Sequence, residues 1–164
     1  MRITFVNVGY GDAILMESDT GYTALLDGGG NLPQEFEGDP YRVRCAEYLR
    51  TRQIHHIDAL LISHIHEDHV CGLLPVLKDV SVGAIYVPYP EEPFLKGKPL
   101  EAKEGAARSV PLYTAALNSY REIISDANAK QIPVHVLHPD DQLDLAEDLK
   151  ISVLAPKAKN ISDY

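Results

Sequence analysis

The chain has 164 residues, of which 45% are hydrophobic and 24% charged, enough apolar material for one buried core and too much for a disordered segment. A formal net charge of −9 excludes indiscriminate binding to phosphate backbones, which needs clustered Lys and Arg. It does not exclude a phosphodiester substrate, because a bound cation supplies local positive charge. Two cysteines at no framework spacing, no leader and no apolar run near about eighteen residues fit a reduced, cytoplasmic protein without a membrane segment.

Residues 3–8, 13–16 and 22–26 read as three short strands. Gly9-Tyr10-Gly11-Asp12 and Ser18-Asp19-Thr20-Gly21 are the turns between them, so connection length predicts an antiparallel meander. Asp27 closes the third strand, and Gly28-Gly29-Gly30 then allow positive φ or close backbone approach. No Gly-Lys-Ser/Thr follows, so structural use of these glycines is favoured over phosphate cradling. Asp39-Pro40 reads as a helix cap and first turn, with Tyr41, Cys45, Tyr48 and Leu49 on one face and Cys45 in the core. Arg42, Arg44, Arg50 and Arg52 lie off that face and read as a solvated surface rather than a basic patch.

The run 59–62 is short, continuous and rich in Leu and Ile, the mark of a buried strand. His55 and His56 precede it in a connecting turn and read as surface residues. Directly after it stand Ser63, His64, His66, Asp68 and His69. With a side-chain period of two, His64 and His66 share a side and Asp68 follows them, whereas His69 joins only if the chain turns. Imidazole and carboxylate suit a first-row divalent ion, bound by zinc at roughly 2.0–2.2 Å and accepted also by manganese or iron. Such a set at the carboxyl end of a strand sits where open α/β sheets bind ligands.

Residues 70–77 read as the start of a short helix and 82–87 as another strand. The stretch 88–111 is long and rich in Pro, Glu and Lys, and reads as a mobile connector or a substrate-contacting flap. Residues 112–129 form the best helix, with Ser109 as a possible cap and Tyr113, Leu117, Tyr120, Ile124 and Ala127 on one face. Residues 133–137 and 149–154 read as strands joined by an acidic connector, 140–148. His135 and His138 point to opposite faces there and are weak ligand candidates.

His64-x-His66-x-Asp68-His69 resembles the signature of the metallo-β-lactamase-fold metallo-hydrolases. The opening Val6-Asn7-Val8-Gly9-Tyr10-Gly11-Asp12-Ala13 is similar to the branch that contains the hydrolase domain of the DNA-uptake (competence) channel. Leu25-Leu26-Asp27-Gly28-Gly29-Gly30 is similar to the segment that packs beneath the metal site in that family. The resemblance implies an α/β fold: the N-terminal half of an αββα sandwich, with a mixed, largely antiparallel sheet and flanking helices, in one domain over 1–164. It also implies one or two divalent ions, zinc first. His64 and His66 would hold one ion, Asp68 and His69 a second, and Asp68 would orient the attacking water; Asp27 would orient a ligand from behind through a hydrogen bond. An ion so held lowers the pKa of its water to about 7. Glu67 would point away. Cys71 stands where the family usually has Gly, and could be an extra ligand.

The family completes its site with a later Gly-Asp aspartate and further histidines. Here Gly11-Asp12 and Gly38-Asp39 both precede the motif and no His follows His138. The chain therefore reads as the N-terminal part of a longer enzyme, short of a full site by itself. Its sheet would expose an edge and an apolar face, which predicts self-association. The function expected is metal-dependent hydrolysis of an ester-type bond in a small-molecule or phosphodiester substrate, phosphodiester first. The alternative is a catalytically incompetent binding or assembly module on the same scaffold.

Overall fold

The structure, a computed structural model, describes residues 1–89, 98–107 and 109–154. Three strands open the chain, β1 (Arg2–Phe5), β2 (Ile14–Glu17) and β3 (Thr23–Leu26), paired antiparallel as their short turns require. Each later strand of this sheet is reached through helix and lies parallel to its neighbour. Helix α1 (Cys45–Thr51) leads to β4 (His56–Leu61), and α2 (Glu67–Val70) with α3 (Leu73–Asp79) leads to β5 (Ser81–Val87). Helix α4 (Ser109–Ala129) then leads to β6 (Val134–Val136). The sheet runs β1-β2-β3-β4-β5-β6 and is mixed, as the resemblance implies. Its antiparallel part is confined to the meander, joined by a separate antiparallel ribbon of β7 (Gln142–Ala146) and β8 (Leu149–Ser152).

Period-two alternation divides the core in two. Leu15, Leu25, Leu60 and Ile85 point to the helical face and pack with Leu49 of α1, Leu73 of α3 and Tyr120 of α4, all fully buried. Each such side chain contributes about 1.5–3 kcal/mol by burial. Met16, Ala24, Ala59 and Leu61 point the other way and are covered by Leu149 of the ribbon, with Leu143, Leu145 and Ile151 half-buried beside it. The layers are thus helices, main sheet, ribbon. Edge strand β1 keeps Ile3 and Phe5 exposed. Among the described residues no helix is long and apolar enough to cross a membrane.

Three expectations need correction. Asp39-Pro40 starts a turn and not a helix: the Asp39 carboxylate accepts the Tyr41 amide at 3.0 Å and pairs with Arg42 Nε at 3.1 Å, leaving Tyr41 82% exposed. The amide of Val43 then donates to the Asn7 carbonyl at 3.0 Å, a tertiary bond that holds the chain extended until α1 begins at Cys45. The acidic connector contains β7, because Leu143 and Leu145 alternate with Gln142 and Asp144 and turn inward onto the sheet. Helix α4 starts at Ser109, with Pro111 in its first turn, where no amide donor is needed. Of the flap expected at 88–111, residues 90–97 and 108 lie outside the described residues, and 109–111 belong to α4.

Candidate metal centre

β4 ends at Leu61, and the amide of Ile62 still donates to the Tyr86 carbonyl at 2.9 Å. The chain stays extended through His66, whose φ and ψ of −116° and 156° place it at the N-cap of α2. One turn then closes, with His69 and Val70 amides donating to the His66 carbonyl at 3.1 and 3.0 Å. That turn is the one needed to bring His69 back. The His64 ring centroid lies 4.5 Å from that of His66 and 4.1 Å from that of His69.

Glycine permits this packing by backbone contact. A Cβ on Gly72 would lie 2.0 Å from the Gly28 carbonyl oxygen, and one on Gly11 would lie 1.6 Å from the Asp68 carbonyl oxygen. The β1–β2 turn and the glycine segment after β3 therefore press directly on α2, and the Gly28 amide donates to the His69 carbonyl at 2.9 Å.

Asp27 is 1% exposed and has φ +57°, a left-handed conformation rare for a non-glycine residue. Strain of this kind persists where surrounding structure enforces it and gathers at functional sites. Here it turns the carboxylate under the histidines. Oδ1 accepts the Ser63 amide at 2.9 Å; Oδ2 accepts the Ser63 hydroxyl and pairs with His69 Nδ1 at 2.9 Å. The carboxylate thereby fixes the proton of His69 on Nδ1 and leaves Nε2 with a free lone pair. Ser63 Oγ, already donating to Asp27, accepts from His64 Nδ1 at 2.9 Å, which puts the lone pair of that ring on Nε2. That atom faces His66 Nδ1 at 3.0 Å.

Burial first, then His69 and His66, lowers the His64 pKa and favours the neutral ligand form. The hydrogen bond that His69 donates to Asp27 raises the His69 pKa. The donor chemistry fits a divalent ion: two imidazole nitrogens sharing a tetrahedral zinc stand roughly 3.3 Å apart, close to the His64–His66 separation. Donor atoms of Asp27, His64 and His69 lie within 4.8 Å of one another, the grouping of three that the described residues contain. Distance alone would make Asp27 a ligand. Its three accepted hydrogen bonds favour an orienting role instead, because they occupy both oxygens.

His66, expected beside His64 on the first ion, does not join that group, and neither does Asp68. Asp68 lines a cleft of about 570 Å³ beside His66, and its charge acts on His64 and His69. Glu67 lines the same cleft, 9% exposed, and burial raises its carboxyl above the usual range. Cys71 is buried, with Sγ 3.2 Å from Ser119 Oγ, and burial pushes its thiol up to about 11. Cys45 is a core residue pushed up to about 12. His135 stacks on Tyr86 at 5.1 Å, and His138 is exposed beside Asp141. Sequence reading missed Ser63, Glu35 and Tyr113 as site residues. Ser63 carried a usable signal, as a hydroxyl between the strand and the ligands; the other two carried none.

Fold and site together define a mixed α/β scaffold with a histidine-rich candidate cation site at the carboxyl end of its interior strand β4. The chain belongs to the metallo-β-lactamase superfamily, whose family model matches residues 6–155. Over 54 residues it is 39% identical to ribonuclease Z of Methanopyrus kandleri, covering 29% of this chain and 19% of that protein. Among solved structures it is similar to the BLEG-1 B3 metallo-β-lactamase, with TM-score 0.50 and 18% identity over 92% of this chain and 59% of that one. It is also similar to AidC, a dizinc quorum-quenching lactonase, with TM-score 0.49 and 15% identity over 80% of this chain and 44% of that one. The chain spans less than two thirds of the length of each of these relatives.

Proposed function

We propose that the protein serves divalent-metal-dependent hydrolysis of an ester-type bond, a phosphodiester first, with zinc as the first candidate ion. The observation that carries this reading is the Asp27–His69 and Ser63–His64 hydrogen-bond relay, which commits Nδ1 of both rings, together with the grouping of Asp27, His64 and His69 donor atoms within 4.8 Å of one another. Family membership supports the general class, and the short identity to a ribonuclease Z is compatible with a phosphodiester. The competence-like opening strands point the same way.

In this reading His64, His66 and His69 would hold the ion through ring nitrogens that carry a lone pair, the ion taking the place of the His64–His66 hydrogen bond. Asp68, on the cleft side, holds a second ion or orients the attacking water. Asp27 positions His69 and Ser63 and touches no reactant. The ion supplies Lewis acidity and a water acidic enough to attack at neutral pH. The buried thiols of Cys45 and Cys71 support a reduced, cytoplasmic setting. A second copy of the chain is the partner favoured for β1, whose edge presents Ile3 and Phe5.

The test is metal content by mass spectrometry together with hydrolysis of bis(4-nitrophenyl) phosphate. Stoichiometric zinc or manganese with turnover, both lost in His66→Ala, is the expected result. Metal content unchanged in His66→Ala would remove the assignment; bound metal with turnover only after C-terminal extension of the chain would fit the incomplete site expected from the sequence, and neither metal nor such rescue would favour an assembly module.

A further inference from the structure

Four of the exposed large apolar side chains converge on one place. Tyr10 of the β1–β2 turn, Leu32 of the following loop, and Leu112 and Tyr113 of α4 all line the cleft beside His66. Exposed apolar groups scattered singly need no explanation; gathered around a concavity they mark a binding surface. The wall is rigid, because Tyr113 sits one turn before Ala116 and two before Tyr120, both fully buried. Its ring meets the edge of His66 with centroids 5.9 Å apart.

The rest of the lining is acidic. Glu35, Glu67 and Asp68 face the cleft, and among the described residues that line it there is no Lys or Arg. The arginines at its rim are engaged with the wall: Arg42 lies over the Tyr10 ring, 5.5 Å from its centroid, donates to the Glu35 carbonyl and pairs with Asp39, and Arg44 stacks over Phe36. A nucleic-acid strand is held by neutralising successive phosphates with Lys and Arg, and three carboxylates oppose that. A single phosphodiester carries one charge, which the cation site beside the cleft balances. A volume of about 570 Å³ is that of a small-ligand site.

Resting on the hydrolase reading above, we infer that this cleft selects a small diester bearing one flat, uncharged substituent, seated against Tyr113 and Leu112, and rejects nucleic-acid strands. Tyr113 is then a specificity-determining residue, acting through its ring face.

Two measurements on the zinc-loaded chain test this. In ring- and methyl-proton NMR titrations, bis(4-nitrophenyl) phosphate shifts Tyr113 and Leu112 saturably, while an oligothymidylate octamer at equal phosphate concentration does not. In steady-state hydrolysis of the same diester, Tyr113→Ala raises KM about 10-fold, the size of an aromatic stacking contribution, with kcat within about 2-fold. Tyr113→Phe recovers most of the lost affinity, and Tyr41→Ala, at an exposed position away from the cleft, has the wild-type KM. Octamer shifts at Tyr113 equal to those of the diester, or a wild-type KM in Tyr113→Ala, would overturn the inference and leave the hydrolase reading standing. Absence of turnover both in this chain and in a C-terminally extended one would defeat the hydrolase reading instead, and the NMR titration would then decide by itself whether the cleft binds such a molecule.

Discussion

The two ends of β4 carry similar side chains and do different things. At its carboxyl end Ser63, His64, His66 and His69 gather over Asp27. At its amino end His56 bonds Ser81 Oγ at 2.9 Å through Nδ1 and Asp58 at 3.3 Å through Nε2. The second set has the residue types of a nucleophilic triad, yet the Ser81 hydroxyl donates to the His55 carbonyl at 3.0 Å, so His56 does not take its proton. Asp58 is committed as well, accepting the Thr23 amide at 2.8 Å. His56 is 53% exposed with Asp58 at 32%, whereas His69 is 13% exposed with Asp27 at 1%. Residue type does not separate these clusters. Burial and hydrogen-bond direction do: at one end the carboxylate orients lone pairs inward, at the other it ties strands together.

Breaking the comparison starts with the ligands. His66→Ala should reduce bound metal to background by mass spectrometry, while His56→Ala retains the wild-type content. Asp27→Ala should weaken metal affinity about 10–100-fold in a chelator competition, the usual cost of removing a group that orients a metal-binding histidine; Asp58→Ala should leave it unchanged. Gly72→Ala should lower unfolding stability by about 1–3 kcal/mol in urea, because its Cβ would collide with the Gly28 carbonyl and displace the backbone that holds His69.

The amino end offers a pH test. Asp148 accepts from Ser18 and the Asp19 amide and pairs with the terminal ammonium, and these contacts hold its carboxyl well below the usual 3.8. A depressed carboxylate pKa contributes stability above the unfolded value and loses it as pH falls through the folded one. Asp148→Asn should therefore be less stable than wild type at pH 7, with the gap closing below about pH 4, and its metal affinity should not change. The smallest effect concerns the thiols. With Cys71 pushed to about 11 and Cys45 to about 12, neither should react measurably with iodoacetamide at pH 8 in the folded chain, and both should react in urea.

Much of this was legible before the structure. The strand leading to His64 and the position of Asp27 at the end of β3 follow from short-range patterns that later packing leaves intact. Tyr113 was assigned to the buried face of its helix and instead stands 54% exposed at the cleft. Its spacing from Tyr120 is helical, but α4 reaches beyond the sheet at its start, and periodicity carries no information about where a neighbouring layer ends. The strand β7 was hidden by its acidic residues, which face solvent while Leu143 and Leu145 turn inward.

The sequence by itself determined which atoms are available to bind a cation, because four candidate ligands lie within six consecutive positions and their chemistry is local. Only the tertiary structure decided how those atoms are aimed. Asp27 reaches His69 across 42 residues, and Glu35, Tyr10 and Tyr113 meet at one cleft from three separate segments. Hydrogen-bond direction and burial are properties of such long-range encounters, and no spacing along the chain encodes them.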